Sequence, residues 1–266
     1  MDEASIRADM IEGLEHQIGE SLDASMLTAL QRVPRDPFLD SSRRTDQGSV
    51  GHAQGSDSTE SDPRTLPPAT IVRLLSALEA RETDDVLVVG AGVGYSAGLL
   101  AELVGERHVH AIDIDREAVA VARSNLSTAG YDGVLVDRRD GANGLPAYAP
   151  YDRILVEAAV VEPPRALREQ LAETGRIVYP RGTTMQTITA IEPAGTGEPA
   201  ASDDAPNGFT TVETAGPVQL RPMLADGEQA GIERNRTRRE DAERAEQGHF
   251  ARHGWEQDWI DWDDHH

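Results

Sequence analysis

From residue 86 to residue 179 the chain alternates short aliphatic runs with longer amphipathic stretches. Val86–Val89 is four aliphatic residues with no polar alternation, the pattern of a parallel strand covered by helices on both faces. Residues 109–112, 134–136, 151–159 and 175–180 predict four more strands, and 185–191 a sixth. Between them, the stretch after Gly94, residues 116–130 and residues 164–172 carry apolar positions at helical spacing. Strict alternation of strand and helix predicts an α/β fold: a doubly wound, mostly parallel sheet with right-handed crossovers.

The flanks read differently. Ile6, Met10, Ile11 and Leu14 fall at helical spacing before Gly19 breaks the run, and Asp23 is placed to cap a second helix. Pro34 and Pro37 then predict an extended exit. Residues 40–64 are polar, with almost no apolar anchor, and read as a long loop. Helix resumes at Pro67-Pro68, where proline suits a first turn. Residues 192–208 are rich in Pro, Gly, Ala and Asp and predict a flexible loop, and residues 209–224 return as edge strands. Beyond Ala225 the chain is charged and polar. Its three tryptophans, Trp255, Trp259 and Trp262, would share one face of a helix, suited to docking on the main domain or to contact with a partner. The expected organisation is an N-terminal helical cap and polar loop (1–64), a cofactor-binding domain (65–224) and an acidic tail (225–266).

Candidate chemistry gathers where strands end. After the first strand comes Gly90-Ala91-Gly92-Val93-Gly94-Tyr95, whose alternate glycines permit a tight turn and close approach of a ligand to the backbone. Ser96 is expected to cap the next helix. Asp113 ends the second strand, 23 residues after Gly90, where a carboxylate can accept hydrogen bonds from ribose hydroxyls. Asp140 and Glu157 end the third and fourth strands, so all four features belong at one edge of the sheet, where ligands of such folds bind. Dinucleotide sites typically read G-x-G-x-x-G, with a pyrophosphate at the helix N-terminus. Here the turn is G-x-G-x-G, which resembles the first motif of class I S-adenosylmethionine-dependent methyltransferases. That cofactor has no phosphate and needs only a loop passing close beneath its methionine portion. A nicotinamide dinucleotide stays open as the alternative.

Composition narrows the setting. Acidic residues number 47 against 25 basic ones, a net charge of −22, and every basic residue is arginine because lysine is absent. Acid excess without lysine points to a cytoplasm holding molar salt, where the Debye length shrinks to about 3 Å and surface charges barely repel. The same charge disfavours nucleic acid, which needs basic patches. With no cysteine, thiolate nucleophiles, disulfides and Cys-based metal sites are excluded, and no metal is expected. No run approaches 18 apolar residues and no secretory apolar segment opens the chain, so a cytoplasmic protein without membrane contact is expected.

Several segments in sequence are similar to the protein-L-isoaspartate O-methyltransferase family. They are Val33-Pro34-Arg35-Asp36-Pro37-Phe38, the turn from Gly90 to Tyr95, Arg139-Asp140-Gly141, and Ala149-Pro150-Tyr151-Asp152-Arg153-Ile154 with Ala158-Ala159. Gly175 to Gly182 followed by Gln186 completes the set. The resemblance runs from about residue 5 to 224 and implies a Rossmann-like methyltransferase sheet, S-adenosyl-L-methionine as cofactor, and isoaspartyl residues of damaged proteins as acceptors. It implies that Gly90, Ala91, Gly92, Gly94 and Tyr95 pass under the cofactor, that Asp113 holds its ribose, and that Asp140 and Gly141 lie by its adenine. Thr65 and Glu157 fall on the acceptor side. No catalytic residue is singled out, since a carboxylate is nucleophilic by itself and positioning carries the reaction. The chain departs from the family where a serine would serve the substrate (Pro67), where the first strand would carry an acid (Val88), and where the fourth strand would end in threonine (Glu157). These departures keep two further readings open: a related methyltransferase with another acceptor, and a cofactor-binding protein with little catalysis.

Overall fold

The computed structural model describes residues 13–16, 18–19, 21–39, 65–195, 206 and 208–224. The polar loop 40–64 and the tryptophan tail lie outside the described residues. Seven strands form one sheet: β1 (Val86–Val89), β2 (Val109–Asp113), β3 (Leu135–Arg138), β4 (Tyr151–Val156), β5 (Leu171–Arg181), β6 (Gln186–Pro193) and β7 (Phe209–Val218). Their spatial order is β3-β2-β1-β4-β5-β6-β7. The first five are parallel, and β6 and β7 are antiparallel additions. The chain reverses direction between β3 and β4, so β1 lies between β2 and β4. There its carboxyl end opens at the point where an open α/β sheet receives a ligand.

β1 shows why its sequence lacks polar alternation. Val86 and Val88 face one apolar cluster, whereas Leu87 and Val89 face another. The first cluster takes in α1 (Ala24–Arg32), α2 (Asp36–Leu39), α3 (Pro68–Leu78), α4 (Tyr95–Val104) and α5 (Arg116–Ala129). The second is closed by α6 (Arg165–Glu169), which contributes Leu167, and by the short 3-10 turn at Gly141–Asn143, which contributes Ala142 and is followed by Leu145. All four residues of β1 are buried, so a central strand must be apolar on both faces.

The predicted starts and stops hold where local chemistry sets them. Asp23 caps α1, its carboxylate accepting the Met26 N–H at 2.8 Å. Gly130 ends α5 in the left-handed region. Two local expectations give way. Pro37 does not enforce an extended exit; it lies in the first turn of α2, where its missing N–H is no loss. Phe38 beside it is buried, its ring centroid 5.3 Å from that of Tyr95. The N-terminal helices therefore share the core of the sheet's first face. Ser96 does not cap α4. The N-cap is Gly94, and Ser96 is buried inside the first turn. The fourth strand stops at Val156, short of the predicted Ala159, and β5 starts at Leu171, within the helix predicted for 164–172.

Charged pairs gather at the opposite edge. Arg176 bridges Glu192 at 2.7 Å, Glu79 at 3.0 Å and Glu213 at 3.5 Å, and it donates to the Ala77 carbonyl. One guanidinium thus ties α3 to β6 and β7.

Candidate functional site

At the carboxyl ends of β1, β2 and β4 a cavity of about 190 Å³ is lined by Gly90, Gly92, Asp113, Gly141 and Glu157, among others. A second, of about 600 Å³, adjoins it across Ile114 and is bounded by Arg138 to Asp140 and by the turn from Asn143 to Ala147. Together they make a continuous rim along the edge where the sequence placed its candidates.

The glycine turn is built from β2. The Ile112 carbonyl accepts both the Gly90 N–H at 2.8 Å and the Ala91 N–H at 3.0 Å, which folds the chain back over the strand ends. Gly90 has φ +99°, a conformation that L side chains rarely adopt. Gly94 has φ +90°, and a Cβ there would meet the backbone of Ala122 on α5 at 3.3 Å. The turn is therefore tight for a conformational reason at Gly90 and for a packing reason as well at Gly94.

Asp113 stands where its spacing predicted, at the end of β2. Its Oδ2 accepts the Gly92 N–H at 3.0 Å and its Oδ1 accepts the Asp115 N–H at 2.9 Å. Each oxygen keeps further acceptor capacity. Burial pushes its carboxyl above the usual carboxylate range, while the backbone N–H groups oppose that shift. Asp140 borders the larger cavity and accepts the Ala142 N–H at 2.8 Å, whereas Gly141 borders the smaller one. A Cβ on Gly141 would lie 2.5 Å from Val89 Cγ1, so the third strand's turn can pass β1 only as glycine.

Glu157 follows β4, its N–H donating to the Val89 carbonyl at 2.8 Å. Its carboxyl group lies beside the glycine turn with the Ser96 hydroxyl as hydrogen-bond partner, and burial pushes it up to about 7. Oε1 is shut off from solvent and has no hydrogen-bond partner among the described residues.

Other predicted residues lie elsewhere. Tyr95 turns its ring into the core against Phe38, and Ala91 and Gly94 support the turn without lining the cavity. Thr65 does not line it either, but its neighbour Leu66 does. The returning segment Arg221 to Leu224 was not anticipated as a wall of the cavity. Gln186 holds it, its side-chain amide accepting the Leu220 N–H at 2.6 Å and donating to the Leu220 carbonyl at 2.9 Å. Ala159 then pairs with both sides of Pro222, through the Arg221 carbonyl and the Met223 N–H. The apolar Pro-Met-Leu at 222–224 was the available signal. Among the described residues no group of three or more His, Asp or Glu could hold a metal ion.

Known proteins share this fold. Two solved structures superpose over most of the chain. One is a protein-L-isoaspartate O-methyltransferase, with TM-score 0.62 and 19% identity over 83% of this chain and 66% of that one. The other, from Plasmodium falciparum, is a putative enzyme of the same name in complex with S-adenosyl-L-homocysteine, with TM-score 0.58 and 16% identity over 82% of this chain and 98% of that one. These likenesses establish the fold. Sequence relatives are nearer. A protein-L-isoaspartate O-methyltransferase of Aeropyrum pernix is 40% identical over 70% of this chain and 71% of its own length. Its counterpart in Methanosarcina mazei is 34% identical over 73% and 77%. The model of the protein-L-isoaspartate(D-aspartate) O-methyltransferase family matches residues 6–214, spanning the glycine turn, Asp113, Asp140 and Glu157 alike, and the chain belongs to that family.

Proposed function

We propose that this chain transfers the methyl group of S-adenosylmethionine to the free carboxylate of isoaspartyl residues in damaged proteins. The observation that carries the reading is the edge formed by Gly90, Gly92 and Asp113 beside a cavity, in a chain of this family. The residues present fit the cofactor. The glycine turn offers a backbone surface without side chains, Asp113 keeps free acceptor sites for ribose hydroxyls, and Asp140 and Gly141 bracket the passage toward the larger cavity. When bound, the cofactor supplies an electrophilic methyl group on a sulfonium. An acceptor carboxylate would take that methyl group as its ester, the electrons of the carbon–sulfur bond leaving with S-adenosylhomocysteine.

The protein's share is placement and exclusion of water. Gly90 and Gly92 form the floor, Ala91, Gly94 and Tyr95 support it from the core side, and Asp113 fixes the ribose. Leu66 and the segment Arg221 to Leu224 wall the cavity, and Thr65, next to Leu66 but outside the lining, has no contact there to support an acceptor role. Pro67 is the N-cap of α3 and carries no hydroxyl, so acceptor recognition rests on other groups in this chain. In this reading the partners are isoaspartyl-containing proteins in the cytoplasm, residues 1–64 and 225–266 flank the catalytic domain, and the tryptophan tail is a contact surface. No helix among the described residues is long and apolar enough to cross a membrane.

The test is methyl transfer from labelled S-adenosylmethionine, in ~2 M KCl to screen the acidic surface, to an isoaspartyl peptide and to its aspartyl counterpart. Base-labile label on the isoaspartyl peptide alone is the expected result. Label on neither, with intact cofactor binding, would assign the chain to a different acceptor or to binding without catalysis.

A further inference from the structure

Glu157 is left unexplained by the placement of the ribose. Its Oε1 is sealed from solvent and lacks a hydrogen-bond donor among the described residues. A buried acceptor without a donor costs stability, and such groups mark positions where something else supplies the donor. The position of the group is well determined. Val89 pairs with Val156 in register, the Glu157 N–H is tied to the Val89 carbonyl, and the Glu157 Cβ lies 3.5 Å from where a Cβ on Gly90 would stand. The carboxyl group therefore flanks the same turn that Asp113 holds from the other side. The two acids differ in one respect. Both oxygens of Asp113 already accept backbone N–H groups, whereas Oε1 of Glu157 accepts none.

Three parts of the cofactor could meet this oxygen. The ribose hydroxyls belong to Asp113 at the end of β2. The sulfonium carries positive charge but no N–H or O–H to donate. The α-ammonium of the methionine portion carries three N–H donors and a full charge, the pairing that forms the stronger class of hydrogen bond. We propose that Glu157 anchors the cofactor's α-ammonium group, Oε1 accepting one of its N–H bonds, and so positions the methionine portion over Gly90 and Gly92. This rests on the cofactor reading above and moves Glu157 from the acceptor half of the site to the donor half. The carboxyl group faces Asp113 from β2 and Ser96 from α4, with Asp115 and Arg221 also on the cavity wall. An arriving cation relieves the repulsion between the two acids. The valine at position 88 is consistent with this, since β1 itself brings no acid to the turn.

The experiment is calorimetric titration of S-adenosylhomocysteine, and of its analogue with hydrogen in place of the α-amino group, into the wild-type chain and Glu157→Gln in ~2 M KCl. S-adenosylhomocysteine is neutral at sulfur, so any effect of Glu157 on it excludes the sulfonium. The expected result is about tenfold weaker binding of S-adenosylhomocysteine to the variant, with the deamino analogue bound equally by both proteins. Equal losses for the two ligands, or no loss for either, would overturn the assignment. A loss seen with S-adenosylmethionine but not with S-adenosylhomocysteine would do so too. If the wild-type chain binds neither compound, the cofactor reading itself falls and the anchor with it. Glutamine is isosteric and removes a buried charge, so the variant keeps the fold, and a thermal melt verifies that.

Discussion

Asp113 accepts the N–H of Gly92 at 3.0 Å, so the acid that ends β2 also holds the middle glycine of the turn after β1. One carboxylate thus shapes the glycine turn, and in the proposed reading it also takes the ribose hydroxyls. Asp113→Ala removes both functions. Affinity for S-adenosylhomocysteine should fall by about 1–3 kcal/mol, the scale of lost charge-assisted hydrogen bonds. Calorimetry giving the wild-type constant would remove Asp113 from the site.

Glu157 should make the apoprotein less stable as pH rises. Its carboxyl group titrates at about 7 in the fold against an ordinary value of 4.5. Below 4.5 both folded and unfolded chains hold the proton, so the group is neutral to stability. Between 4.5 and 7 the unfolded chain releases it first, and stability falls across that window and then levels off. The full loss is on the order of 3 kcal/mol. Glu157→Gln should therefore melt several degrees above wild type at pH 8 and close to it at pH 4.5. A gap in melting temperature that stays constant over this range would refute the burial of a titrating carboxyl at this position.

Gly141→Ala places a methyl carbon 2.5 Å from Val89 Cγ1, with the β-branched side chain pinned in the core. Overpacking of this kind costs roughly 1–3 kcal/mol. Both the melting temperature and cofactor affinity should drop, because the shift falls on the cavity wall. A variant matching wild type in both would show that the third strand's turn can relax away from β1.

The acidic surface should make the fold depend on salt. With 22 net negative charges unscreened, low ionic strength favours expansion of the chain. Circular dichroism should show loss of structure on transfer from ~2 M to ~0.1 M KCl, where the Debye length lengthens to about 10 Å. The Arg176 cluster sharpens the expectation. Arg176→Ala leaves Glu79, Glu192 and Glu213 facing one another, so it should raise the salt needed for folding. Unchanged spectra for both proteins would argue that the acid excess is incidental.

Much of the fold was legible because its signals are local. The aliphatic run of β1, the cap at Asp23 and the stop at Gly130 each depend on residues within one turn of helix or one strand. The glycine turn was legible for the same reason, since positive φ at Gly90 is a property of that residue. Pro37 and Ser96 were misjudged where two local roles compete. Proline suits an extended exit or a first helical turn, and serine suits a cap or a buried hydroxyl. The packing of Phe38 and the carboxyl group of Glu157 decided between them.

By itself, the sequence determined the alternation of strands and helices, the glycine turn, the acid that follows it by 23 residues, and the kinship these carry. Only the tertiary structure decided what stands around that turn. Glu157 reaches Gly90 because β4 pairs with β1 across 67 residues of chain, and Arg221 to Leu224 close the cavity because Gln186 clamps Leu220 from 34 residues away. Such contacts arise from strand order and register, which depend on the packing of the whole sheet rather than on any short stretch of residues.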